Sequence, residues 1–288
     1  MLKILIWHVT NSTYFQKRAL KILEQQHDGI EIVGEAVNEE IAKVDWGDYD
    51  VLLVAGTKVK GIRFSEVMKD AAQLNLPEEK MLGDWIVCLP GFTLEKYRLL
   101  QRSNLSIISR SCFGGLISNL LGLQFLSPFV NLWMNPKDFI CFLRHPHDYM
   151  EEELIFKEKK YRESYGFDIA TFTCGNVSIV MEHYCDFNEA VDLWNERKKR
   201  INWNNLLVVT ITEDPEILRE FDALPYEKKI CFVSFKSDLD SAWYINPETR
   251  KDTKKLWDIV HLSVLGMKLY YDPFDMLLYG KKTPLIDM

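Results

Sequence analysis

The chemistry-bearing part of this sequence is concentrated in Ser109-Arg110-Ser111-Cys112-Phe113-Gly114-Gly115, which sets two hydroxyls, a thiol and two adjacent glycines in one short run. An apolar stretch, 105–109, precedes it and an apolar stretch of helical spacing follows, so it occupies a strand-to-helix turn. Backbone N–H groups and the helix dipole at such a turn favour anions and lower a thiol's pKa. The expected chemistry is capture of a phosphate or sugar group by the amides of Gly114 and Gly115, with Ser109 and Ser111 as hydrogen-bond donors. Cys112 acts as a nucleophile only where a base such as His183 stands beside it. The alternative is a tight turn with Cys112 as a small buried side chain. P-loop and nucleophile-elbow spacings are both absent.

Other candidates lie further along. His183 ends an alternating stretch beside Tyr184 and titrates near neutral pH, so it is the candidate acid or base; a packed core histidine is the other reading. In Arg200-Ile201-Asn202-Trp203-Asn204-Asn205, amides surround one indole, a combination that suits sugar hydroxyls and CH groups and also suits turns and caps. From it Arg200 and Trp203 are taken as ligand-binding, together with Asn131. His145, His147 and Asp148 straddle a proline break without a third ligand at standard spacing, so they read as a surface turn rather than a metal site. Asp238-Leu239-Asp240 is an Asp-x-Asp in a polar stretch that reads as a solvated loop.

Composition narrows the class. Of 288 residues, 47% are hydrophobic and 27% charged, inside the globular range. A net charge of −7 disfavours an electrostatic grip on nucleic acid. The basic run 197–200 falls at the end of a helix, where cations meet the negative end of the dipole. Six cysteines occur without a C-x-x-C pair, and no secretory leader is legible, so reduced thiols and a cytoplasmic setting are expected. Residues 111–136 carry no charge, but polar groups and helix breakers run through them. They suit a buried helix, a turn and a buried strand better than a membrane span, with peripheral membrane contact left open.

The elements that must position these groups follow an α/β pattern. Strands are expected at 2–9, 30–37, 50–55, 85–89 and 105–109, with helices at 13–26, 64–75 and 94–102, giving a Rossmann-like, mainly parallel and helix-covered sheet over 1–125. The middle is expected to hold a helix over 139–153 broken at Pro146 and a hairpin of 169–172 with 177–183 around Gly175. A second parallel unit follows: helix 188–200, strand 206–212, helix 215–223 and strand 230–235. Helix 254–265 closes the pattern. Two packed lobes, 1–125 and 126–288, are expected without a flexible linker.

Five segments in order resemble the bacterial exopolysaccharide-biosynthesis family, itself classed as a domain of unknown function. They are Ile107-Ile108-Ser109-Arg110-Ser111-Cys112-Phe113-Gly114-Gly115, Leu126-Ser127-Pro128-Phe129-Val130-Asn131-Leu132, His183-Tyr184, Arg200-Ile201-Asn202-Trp203-Asn204-Asn205-Leu206 and Leu224-Pro225-Tyr226. The resemblance implies a role in surface-polysaccharide biosynthesis, with a transferase acting on an activated sugar or phosphorylated glycan precursor as the leading expectation. A non-catalytic glycan- or partner-binding protein and a cysteine hydrolase are the rivals. The sequence leaves the cofactor unknown. Trp7-His8-Val9-Thr10-Asn11-Ser12 lacks the glycine that lets a pyrophosphate approach a helix start, so no dinucleotide is expected there. The 109–115 turn, Asn131, His183 and the Arg200–Trp203 segment are expected to line one cleft.

Overall fold

The computed structural model describes all residues except 11–12, 44, 57–63, 250 and 284–288. It is an α/β structure with two parallel, helix-flanked sheets and a third, antiparallel sheet, each of four strands. In the first sheet, β1 (Leu2–His8), β2 (Ile30–Val37), β3 (Val51–Ala55) and β4 (Met81–Gly83) lie in the order β2-β1-β3-β4, all parallel. Helices α1 (Gln16–Gln26), α2 (Phe64–Gln73), α3 (Asp84–Val87) and α4 (Leu94–Arg102) accompany it. The run 85–89, expected as a strand, is instead the short helix α3 and its end. A continuous apolar run has no period with which to tell strand from helix, and here Asp84 opens a helical turn.

The second sheet starts with β5 (Ser106–Ser109), followed by α5 (Phe113–Leu121). Contrary to expectation, β5 does not extend the first sheet. A long insertion intervenes before its neighbours arrive. It comprises β6 (Trp133–Met134), α6 (Pro136–Arg144), α7 (Pro146–Glu151), β7 (Leu154–Arg162), β8 (Phe167–Cys174), β9 (Val177–Met181) and α8 (Phe187–Lys198). Then come β10 (Leu206–Ile211), α9 (Pro215–Asp222), β11 (Lys228–Val233) and β12 (Ala242–Tyr244), and the order is β12-β11-β10-β5, all parallel. The closing helices are α10 (Leu256–Leu265) and α11 (Pro273–Tyr279).

Both faces of this second sheet are covered, which explains its unbroken apolar strands. Ile107, Leu207, Val209, Ile230 and Phe232 belong to a core shared with α5, α10, α11 and the first sheet. Ile108, Val208, Cys231 and Val233 belong to a second core under α6, α8 and α9. The two parallel sheets therefore pack through one continuous core rather than across a linker. Aspartates start several helices: Asp186, Asp214 and Asp272 accept the free N–H groups of α8, α9 and α11.

The insertion builds the third sheet, β6-β9-β8-β7, whose pairs are all antiparallel. The hairpin expected around Gly175 is β8–β9, with Gly175 at φ +56°. α6 ends at Arg144 and α7 restarts at Pro146, where the proline was expected to break the helix. Uncharged residues 111–136 become α5, a connecting loop and β6. Among the described residues, no helix is long and apolar enough to cross a membrane.

Candidate active site

An antiparallel sheet can cover a core with one face and leave the other open. On β8, Ala170, Phe172 and Cys174 enter the second core, and the intervening Ile169 and Thr171 face the other way. Register then decides what joins them. Thr171 pairs with Glu158 on β7 and with Val180 on β9, and Val180 pairs with Trp133 on β6. Directly opposed residues share a face, so Trp133, Val180, Thr171 and Glu158 form a row across the sheet.

That row is one wall of a cleft of about 970 Å³. The facing wall comes from the β5–α5 junction, through Cys112 and Leu116, and from α10, through Trp257, His261 and Leu265. These last three recur every four residues, so they lie along one stripe of the helix. Asn131, in the left-handed region at φ +59°, contributes from the loop before β6. The β7–β8 turn and the residues after β9 form the rim. There Glu182 Oε2 accepts hydrogen bonds from the Arg162 guanidinium and the Tyr165 hydroxyl, each at 3.2 Å. The His183 ring stands 5.0 Å from the Tyr165 ring. Burial holds the His183 imidazole below its ordinary pKa, with Glu182 acting in the opposite sense.

Beneath the cleft lies a hydrogen-bonded chain. His261 Nδ1 is 2.8 Å from the Trp257 carbonyl oxygen, which only accepts, so Nδ1 carries the proton. Nε2 is then an acceptor, 2.9 Å from the Ser111 hydroxyl. Burial pushes the His261 imidazole down to about 4; the Trp257 carbonyl opposes this and Arg110 adds to it. The imidazole is therefore neutral at pH 7. Arg110 itself donates to the carbonyls of Met134 (3.0 Å) and Ile211 (2.7 Å), with its guanidinium 5.0 Å over the Trp257 ring. Desolvation lowers its pKa to about 10.

The residues singled out from the sequence divide into three groups. Cys112, Asn131 and His183 line the cleft together, and Ser111 lies just beneath it through His261. Ser109, Gly114 and Gly115 are used internally. Ser109 Oγ donates to the Ser111 carbonyl at 2.6 Å and accepts the Gly114 N–H at 2.9 Å, which takes that amide away from any ligand. A Cβ on Gly115 would come within 3.0 Å of Val130 Cγ1, so this glycine permits close packing.

Arg200 and Trp203 form the third group and do not join the cleft. Arg200 pairs with Glu196, and Trp203 packs on His147 with ring centroids 4.2 Å apart. The reason is topological. Residues 200–205 lead into the N-terminal end of β10, where the Ser106 N–H donates to the Asn205 carbonyl. The 109–115 turn leaves the C-terminal end of the parallel neighbour β5. The two segments stand at opposite ends of the strand pair, roughly 10–13 Å apart along it. Asn202 and Asn205 donate to the carbonyls of Asn104 and Ser103, and so close that end.

The thiol at Cys112 is not activated. Burial, then Glu182, pushes it up to about 12, and Sγ contacts the Leu132 carbonyl at 3.8 Å. The histidine that sequence reasoning missed is His261. Its signal was a lone imidazole four residues after Trp257 in an otherwise apolar helical stripe.

Fold and site together define a Rossmann-like α/β protein with a cleft roofed by an antiparallel sheet. The model of the family described as "Domain of unknown function (DUF1919)" matches residues 88–280, and the chain belongs to that family. The matched span begins after β4 and contains every cleft residue named above. An uncharacterized protein of Haemophilus influenzae is 30% identical over 186 residues, which is 62% of this chain and 84% of the relative.

Proposed function

We propose that the cleft binds a saccharide and that the chain is a group-transfer enzyme of surface-polysaccharide assembly. The observation that carries this reading is the lining itself. Trp133, Tyr161, Tyr165 and Trp257 share the cleft with Asn131, Thr171, Glu158 and His183. Aromatic faces suit the CH groups of a sugar ring, while amide, hydroxyl and carboxylate groups suit its hydroxyls. The charges are mixed: Glu158, Glu163 and Glu182 stand with Lys160 and Arg162, and Arg162 is already paired with Glu182. This balance favours a neutral sugar unit over a bare diphosphate, and Lys160 is the cation left to meet a phosphorylated precursor. The resemblance to exopolysaccharide-biosynthesis proteins supports the setting.

Isothermal titration calorimetry against neutral saccharides, phosphorylated sugars and sugar nucleotides tests the reading. Saturable binding is expected, weakened at least tenfold, about 1.4 kcal/mol, in Trp133→Leu. Absence of binding across the panel by folded protein overturns it. Binding without turnover of any donor selects the second reading, a non-catalytic glycan-binding protein of the same process.

A further inference from the structure

We propose that His183 is the general base of the cleft: its imidazole takes the proton of an acceptor sugar hydroxyl, which attacks an activated sugar directly. This rests on the saccharide reading for both reactants and assigns to one side chain the proton transfer that the reaction needs.

Two histidines reach the cleft, and their hydrogen bonds divide the roles. His261 is buried and has both ring nitrogens engaged, Nδ1 with the Trp257 carbonyl at 2.8 Å and Nε2 with the Ser111 hydroxyl at 2.9 Å. To accept a ligand proton it would have to give up a buried hydrogen bond and leave a polar group unpaired. His183 is exposed at the rim, lines the cleft, and has no hydrogen-bond partner among the described residues. Its ring lone pair is therefore open to a ligand hydroxyl, and that reach is the first requirement of a general base.

The surroundings hold this ring without occupying its nitrogens. Tyr165 packs on the imidazole, with centroids 5.0 Å apart, and its hydroxyl donates to Glu182 Oε2 at 3.2 Å. Arg162 donates to the same oxygen at 3.2 Å, so Glu182 is committed to the β7–β8 hairpin. Desolvation lowers the His183 pKa, Glu182 raises it and Arg162 lowers it, and the imidazole is neutral at pH 7. From α10, the neutral His261 adds no charge, and Glu158, Lys160 and Glu163 of the hairpin line the same cleft.

The floor supplies no rival nucleophile. Burial, then Glu182, pushes Cys112 up to about 12, so its thiol stays protonated. Ser111 is 2% exposed, lies behind His261, and already accepts the Phe113 N–H at 3.3 Å. The acceptor itself then attacks. Its hydroxyl proton passes to the His183 nitrogen as its oxygen bonds to the anomeric carbon of a glycosyl phosphate ester. The bond from that carbon to the phosphate oxygen breaks, and the electron pair leaves with the phosphate. His183 afterwards releases its proton to the solvent at the rim. Nothing is oxidised or reduced.

The first test uses the wild-type chain with nitrogen-labelled histidine, followed by NMR, and a neutral saccharide that binds in calorimetry. At saturation the His183 ring nitrogens should shift, and its pKa, already below 6.5, should fall further because the hydroxyl bonds the neutral form. Saccharide binding that leaves His183 unmoved overturns the base and keeps the saccharide reading; no saccharide binding at all overturns both. The second test is release of phosphate or nucleoside diphosphate from glycosyl phosphates and from UDP- and GDP-sugars, with the same saccharide as acceptor. Turnover should fall as pH drops through the His183 titration. His183→Gln should lower kcat by about 100-fold or more while saccharide affinity stays nearly unchanged. Added imidazole should restore turnover to His183→Gly, which a merely structural role would not allow. Wild-type kcat in His183→Gln, no rescue of His183→Gly, or no turnover of any donor by saccharide-binding wild-type protein overturns the proposal.

Discussion

A Cβ placed on Gly114 would stand 2.9 Å from Ser109 Oγ and 3.1 Å from Ile107 Cγ2. The Ser109 hydroxyl cannot give way freely, because it bridges the Ser111 carbonyl and the Gly114 N–H. Gly114→Ala should therefore cost about 1–3 kcal/mol through overpacking. Urea denaturation should show a lowered midpoint at constant slope. Sequence reasoning located this turn and its contents but assigned the glycines to ligand capture. What decides between capture and packing is which atoms surround the missing Cβ, and these include Val130, brought in by a separate loop. His261 was equally out of reach, because its partner Ser111 lies 150 residues earlier and nothing in local spacing links the two.

Among the elements, the parallel strands and their helices were legible because continuous apolar runs and helical periods mark them directly. β7 was not. Eight of its nine residues are exposed, from Ile155 through Arg162, so no buried alternation marks it as a strand. Yet it carries Glu158, Lys160 and Arg162 to the cleft, held by pairing with β8. The placement of Arg200 and Trp203, by contrast, was implicit in the expected parallel unit. A loop that enters a strand and a turn that leaves its parallel neighbour stand at opposite ends. Joining the antiparallel sheet to the parallel one is the task of Arg110, which spans Met134 on β6, Ile211 on β10 and the Trp257 ring on α10. Lysine lacks the planar fork that serves two carbonyls at once. Arg110→Lys should leave one carbonyl unsatisfied and cost about 1–3 kcal/mol. The exposed Arg144–Glu220 pair gives the control: Arg144→Lys should change stability by less than about 1 kcal/mol in the same denaturation experiment.

Across the whole molecule, two buried groups on different helices, Asp84 on α3 and His261 on α10, set opposing responses to acid. Asp84, at the end of β4, is fully buried; its Oδ2 accepts the Gly56 N–H at 3.3 Å and its Oδ1 has no hydrogen-bond partner among the described residues. Burial raises its pKa from 3.8 to about 6, against the Gly56 and Trp85 N–H groups. Above pH 6 the folded chain holds this charge at a cost that the unfolded chain does not bear. As pH falls from 6 toward 4 the folded carboxyl is protonated first and the cost disappears, so acidification favours the fold. His261 acts in reverse. Its folded pKa is about 4 against an ordinary 6.5, so its contribution is fully present above pH 6.5 and is lost as pH falls to 4, because the unfolded chain takes up the proton first. His183, also held below its ordinary value, acts in the same direction as His261. Each of the two large shifts corresponds to about 3 kcal/mol at 1.36 kcal/mol per pKa unit. They nearly cancel between pH 6.5 and 4, and the wild-type chain should be close to level there. Asp84→Asn should be more stable than wild type at pH 7 by about 2–3 kcal/mol, an advantage that vanishes by pH 4. His261→Gln should instead gain stability as pH falls across the same window, because the Asp84 response is then opposed by His183 and no longer by His261. Urea midpoints of the three proteins at pH 4, 5, 6 and 7 check this, and parallel curves for wild type and Asp84→Asn would show that Asp84 is ionised in the fold throughout.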